Sequence, residues 1–134
     1  IERGKTMNKK NVIIFCIVCI ILIFLVVVIV ICNKKTVIGK FNVSEYSEVV
    51  IQFSSDKIVG TVQDVETAKE KAESIWIELY GDEVKEKKPY IVSFDELNEV
   101  WLVQGSLPKN KFGGVPYILI QKSDGKVLAV WHDK

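Results

Sequence analysis

His132 is the only histidine in the chain and stands two residues from its end, so nucleophilic chemistry has little to draw on. A Cys-His pair cannot form in the polar part of the sequence. All three cysteines, Cys16, Cys19 and Cys32, lie in or at the edge of one apolar run near the N-terminus. Cys16 and Cys19 read there as small apolar filler, since buried free cysteine behaves as a hydrophobe. Ser93 or Ser106 with His132 does not make a recognisable triad, which needs a base beside the nucleophile and a third group to orient it. A zinc site needs more nitrogen or sulfur ligands than remain. Asp82, Glu83 and Glu86 are spaced like paired acid-base carboxylates, but they follow a helix end among Lys85, Lys87 and Lys88, the pattern of a solvated turn. The sequence therefore predicts no catalytic group, cofactor, metal or small-molecule substrate.

Gly113-Gly114 is the remaining chemical suspect. Phosphate-cradling glycine loops lead from a strand into a helix N-terminus. Here the pair leads into "VPYILIQ", a strand. One reading is conformational: two glycines supply dihedrals that other residues resist before Pro116 opens the strand. The other is a partner-contact loop made of Lys111, Phe112, Gly113 and Gly114 with Tyr117 beside it. Phe112 and Tyr117 would be its anchors, because aromatic residues dominate protein interfaces.

The elements that must position this loop fall into two unlike parts. Val12 to Cys32, "VIIFCIVCIILIFLVVVIVIC", has no charge, glycine, proline or amide. Its 21 residues would span about 31 Å as a helix, the thickness of a bilayer's hydrocarbon core. The run is too long for a cleaved signal, and no small residue precedes Cys32 as lipidation would require. The expectation is a single-pass signal anchor at 12–32 behind a short basic tail, 1–11, with Met7 the true start. Lysines flank both ends of the run, so charge gives no clear vote on orientation. The short N-terminal tail favours placing the C-terminal domain outside the cell.

Residues 33–60 read as a linker with a short strand at Glu48–Ser54, and 61–134 as a small α+β domain. "DVETAKEKAESIWIELYG", Asp64 to Gly81, has apolar residues at helical spacing: Val65, Ala68, Ala72, Ile75, Trp76, Leu79 and Tyr80. Asp64 caps its start and Gly81 ends it. Strands follow at Tyr90–Phe94, Glu99–Gly105, Pro116–Lys122 and Lys126–His132, the last two joined by a turn at Asp124-Gly125. The predicted fold is one amphipathic helix on an antiparallel meander of about four strands. Trp76, Gly81, Trp101, Gly105, Asp124 and Gly125 are its structural residues.

One sheet face should carry Trp101, Val103, Ile118, Ile120, Leu128 and Val130. The other should carry Tyr90, Val92, Phe94, Leu102, Tyr117, Leu119 and Trp131. Two apolar faces and one helix imply a partner, a cavity, or cover from the segment around Val49 to Phe53. Charge is uneven too. Asp64 to Glu99 holds 11 acids and 5 lysines, a net of −6; Val100 to Lys134 holds 5 lysines and 2 acids, a net of +3. An acidic helix side argues against a nucleic-acid partner; it is an ordinary solvated face or suits a basic protein.

In sequence, Tyr80-Gly81, "KPYIVSF" from Lys88, "VWLVQGSLP" from Val100, "GGVPYILIQKSDGKVL" from Gly113 and a final His132-x-Lys134 resemble bacterial immunity proteins with a nuclear-transport-factor-2-like fold. The resemblance runs from Gln63 to Lys134. It implies a non-enzymatic inhibitor whose partner is a cognate protein toxin; the apolar run 12–32, expected to engage the lipid bilayer, is a departure from those proteins. The alternative resemblance is to PepSY-type membrane-anchored modules, which implies regulation of an envelope protease or cell-wall enzyme.

Overall fold

The computed structural model describes residues 6–32 and 38–134. Residues 1–5 of the basic tail and 33–37 of the expected linker lie outside the described residues. The chain divides into two units, 1–36 and 37–134.

In the first unit, α1 is a helix over Lys9–Cys32, starting three residues before the apolar run. Its 24 residues correspond to about 36 Å. By length and composition it is able to cross a membrane.

The second unit is a five-stranded sheet in the order β1-β2-β3-β4-β5. Its strands are β1 (Gly39–Lys40), β2 (Ile91–Asp95), β3 (Val100–Gln104), β4 (Pro116–Gln121) and β5 (Val127–His132). The last four form the expected antiparallel meander. β1 adds a short parallel edge beside Ser93 and Phe94, from a stretch too brief to show any alternation in sequence.

Helix α3, Val65–Tyr80, covers one face. The Asp64 carboxylate accepts from the Thr67 amide at 2.8 Å, which satisfies one of the free donors at the helix start. Val65, Ala68, Ala72, Ile75 and Trp76 are buried against the sheet. Burying an isoleucine such as Ile75 contributes about 2 kcal/mol. Leu79 and Tyr80, expected on the same apolar face, stay exposed.

The partition of side chains between faces differs from the expectation at four positions. Val92 pairs with Val103 and Phe94 with Trp101, so the even-numbered residues of β2 share the helix-covered face. Tyr90, Val92 and Phe94 pack in that core with Trp76 and Trp101. Leu128 moves the other way. A bulge pairs Leu119 with Ala129 but Ile120 with Val127, and the extra residue reverses the alternation. Val127 and Val130 thereby serve the α3 core, whereas Leu128 serves the second face.

That second face, centred on Val100, Leu102, Leu119 and Ala129, is covered by the chain's own preceding segment. The cover is helical, which corrects the strand expected at Glu48–Ser54. A four-residue 3-10 turn, Val43–Tyr46, leads into α2, Ser47–Gln52. Tyr46, Val49 and Val50 face the sheet at helical spacing, while Ile51 points outward at 80% exposure. A strand would have put Val49, Ile51 and Phe53 on one side. The chain then runs antiparallel along β5: the Val127 amide bonds the Lys57 carbonyl at 2.9 Å, and the Val59 amide bonds the Gly125 carbonyl at 3.0 Å. This blunts an edge that would otherwise offer free backbone groups to another chain.

Candidate functional site

The loop after β3 is fixed at its base and bare at its tip. The Gly105 amide bonds the Pro116 carbonyl at 2.8 Å, and the Ser106 amide bonds the Lys87 carbonyl at 2.7 Å. A Cβ on Gly105 would stand 2.8 Å from the Pro116 ring, so the strand end needs glycine for space. At the other side of the loop, Asp133 acts as a clamp: its carboxylate accepts the Val115 amide with one oxygen and the Tyr117 hydroxyl, at 3.1 Å, with the other.

Gly113 and Gly114 have different reasons to be glycine. Gly113 sits at φ +127° in open space, a conformation that L side chains resist. Gly114 lies so close to the Asp133 main chain that a Cβ would collide with its carbonyl.

The five candidate contact residues separate accordingly. Lys111 and Phe112 project from the tip, Phe112 at 99% exposure. Gly113 and Gly114 shape the backbone. Tyr117 is half-buried: its ring stacks on Trp131 with centroids 5.1 Å apart, and Trp131 meets Tyr46 of the covering segment at 6.1 Å. Burial, then the Asp133 carboxylate, pushes the Tyr117 hydroxyl pKa up. Its ring is committed to the second sheet face and does not stand beside Phe112.

The structural residues occupy the core and the turns. Trp76 is fully buried; its ring meets Tyr90 edge-on at 5.2 Å, and its indole N–H points at the Tyr117 carbonyl at 3.4 Å. Trp101 donates from Nε1 to the Val62 carbonyl at 2.9 Å and packs against the Phe94 ring at 4.3 Å. Gly81 ends α3, and Asp124 accepts the Lys126 amide at 2.9 Å in the turn that contains Gly125. His132 lies edge-on to Tyr80 at 5.5 Å, a ring contact at the end of α3.

A second feature is an open groove of about 610 Å³ between α3 and the chain leading into β2. Glu66, Lys69, Glu70, Glu73, Lys88, Pro89 and Tyr90 line it. Glu73 accepts from Lys88 Nζ at 2.7 Å and from the Tyr90 hydroxyl at 2.7 Å. The lysine, then the tyrosine, holds the Glu73 carboxyl below its ordinary range. Burial, then Glu73, drives the Tyr90 hydroxyl well above its own. Lys69 pairs with Glu66 at 3.0 Å. These groups satisfy one another, an arrangement that fixes geometry. Among the described residues, no group of three or more His, Cys, Asp or Glu is placed to hold a metal ion.

Two residues that hold this architecture together make long-range contacts that the sequence does not announce. Asp133 looks like a solvated terminal acid. Asp95, in "FDELN", looks like turn chemistry, yet it is only 4% exposed. Its carboxylate accepts the amides of Leu97 and Asn98, each at 3.0 Å, the Asn98 side chain at 2.8 Å, and the Val43 amide at 2.8 Å across the sheet edge. The Val43 bond first, then those from Asn98, lowers its pKa. A signal for it did exist: Asp three residues before Asn in a tight turn is an Asx-type arrangement. Its long-range partner had none.

Comparison with known proteins gives two matches of use. The family described as NTF2 fold immunity protein matches residues 67–134. Uncharacterized protein YbbC of Escherichia coli strain K12 is 34% identical over 107 residues, which cover 77% of this chain and 86% of that protein. No solved structure matches the chain.

Proposed function

The chain belongs to the NTF2 fold immunity protein family, and we propose that it protects the cell that makes it by binding a cognate protein toxin one-to-one. The family match over α3 and the whole meander carries this reading. The groove's chemistry agrees with inhibition by binding, because Glu73, Lys88 and Tyr90 are spent on one another. Helix α1 serves as an uncleaved anchor in this reading, with the folded unit on the extracytoplasmic side. Anchoring keeps the inhibitor where a delivered toxin arrives and raises its effective concentration there.

The test is survival. The full chain is co-expressed with the toxic domain encoded beside its gene, and the complex is extracted in mild detergent and weighed. Protection that saturates at one inhibitor per toxin, with the chain in the membrane fraction, is the expected result. Absence of protection, or protection by sub-stoichiometric chain through turnover, refutes neutralisation by binding. A chain recovered without detergent, or a domain protected from external protease in intact cells, refutes the anchor or its orientation.

A further inference from the structure

Strand register shows which end of the sheet receives the chain from α1. β1 runs parallel to β2 with Gly39 opposite Ser93, so residues before Gly39 approach at the Ile91 end. Ile91 faces Gln104, Gln104 faces Tyr117, and Tyr117 faces Trp131. That row is the end from which the 105–115 loop projects. The loop with Phe112 therefore leaves the sheet at the end where residue 38 stands.

The chemistry at this end is unusual for a soluble surface. Phe112 is 99% exposed, and Ile91 and Ile38 are 47% and 42% exposed. Lys109 and Lys111 precede Phe112, both exposed, and 105–116 contains no acid. The acids nearby are engaged or balanced: Asp133 holds Val115 and Tyr117, and Asp82 holds Lys85 at 2.8 Å. Glu83 and Glu86 share the 3-10 turn Asp82–Lys87 with Lys85 and Lys87.

We propose that the Lys109–Gly114 loop is a second membrane contact, with Phe112 seated in the interfacial layer of an anionic bilayer and Lys109 and Lys111 at lipid phosphates. This rests on the reading of α1 as an anchor. Aromatic side chains favour the headgroup level, and lysines lie their stems along apolar surface while keeping the ammonium in water. Cytoplasmic or external anionic lipid attracts such a basic cluster within a Debye length. The fixed base at Asp133 and Gly105 spares the loop much of the ordering cost of insertion. The contact holds the loop end of the domain toward the lipid and leaves α3's acidic side and the 96–99 and 122–126 turns free for a protein.

The experiment uses the full chain in nanodiscs of phosphatidylglycerol and phosphatidylcholine in equal parts, with bromine on the acyl chains. Phe112→Trp adds one indole at the tip; subtraction of the wild-type signal removes Trp76, Trp101 and Trp131. The expected result is loss of most of the added fluorescence to the brominated lipid. Lys109→Glu with Lys111→Glu, or high salt, should restore it, and unchanged thermal unfolding should show that each variant is folded. Added fluorescence that is insensitive to brominated lipid in an incorporated chain overturns the proposal and leaves the anchor intact. If that same chain loses toxin protection on Phe112→Ala, the loop belongs to the toxin contact instead. A chain that does not enter the nanodisc overturns the anchor and this contact together.

Discussion

Trp101→Phe isolates one buried hydrogen bond. The indole is 4% exposed and donates to the carbonyl of Val62, itself fully buried, at 2.9 Å. Phenylalanine keeps an aromatic ring near Phe94, whose centroid lies 4.3 Å away, but has no donor. Leaving a buried carbonyl without its partner costs about 1–3 kcal/mol. The smaller ring leaves a void that adds to this, at about 24 cal/mol per Å³ of unfilled cavity. The sum should stay below the cost of Trp101→Ala, about 3–5 kcal/mol, which removes the ring altogether. Against a total stability of about 5–15 kcal/mol, Trp101→Phe should remain folded and Trp101→Ala should stand near the edge of folding. The assay is urea unfolding of the full chain in detergent, followed by near-ultraviolet circular dichroism, which α1 with no Trp or Tyr scarcely affects. Trp76→Phe supplies the comparison, since its N–H reaches the Tyr117 carbonyl only at 3.4 Å and has less to lose. Trp101→Phe within about 0.5 kcal/mol of wild type, the range of neutral surface changes, would refute the assignment of a working bond to Val62.

Asp95→Asn should lower the melting temperature and weaken the hold on the covering segment, because an amide cannot accept at every position where the carboxylate does. Its folded pKa is depressed, so the stability it contributes is present above the unfolded value near 3.9 and fades as pH falls through the lower folded value; melting scans below about pH 4 should show less acid loss in the variant. Gly113→Ala should cost about 1–3 kcal/mol through its positive φ. Gly114→Ala should instead pry the loop from Asp133, read by hydrogen exchange as faster loss at the Val115 and Asp133 amides than anywhere in β3.

The parts of this fold that were legible in the sequence are those whose cues are local. Asp64, the apolar spacing through Trp76, and Gly81 mark α3 because caps and periodicity act within a few residues. The four meander strands announce themselves by alternation. What stayed hidden depends on pairing. Leu128 and Val127 exchange faces through a bulge that only the partner strand defines. Val92 and Phe94 fall on the α3 side because Val103 and Trp101 stand opposite them, and a turn of uncertain length leaves that parity open. β1 is two residues long and exists only because Ser93 and Phe94 offer an edge. In the candidate loop, the exposure of Phe112 and the glycine geometry were readable as alternatives. The stacking of Tyr117 on Trp131 was hidden because it is set by register, not by nearness in sequence to Phe112.

The covering segment is held in place differently from α3. Neither the 3-10 turn nor α2 contains a fully buried residue, whereas α3 buries five. Helices of four and six residues are too short to be stable alone, since nucleation costs more than so few bonds return. Their order comes from Phe41, Val43, Tyr46, Val49 and Val50 on the sheet and from the Val43 bond to Asp95. The segment between the tether and α3 is therefore the least independently stable part of the domain, and local opening should begin there. The sheet and α3 do not need it to keep their own core, because Trp76, Trp101, Ile118 and Ile120 pack on the opposite face.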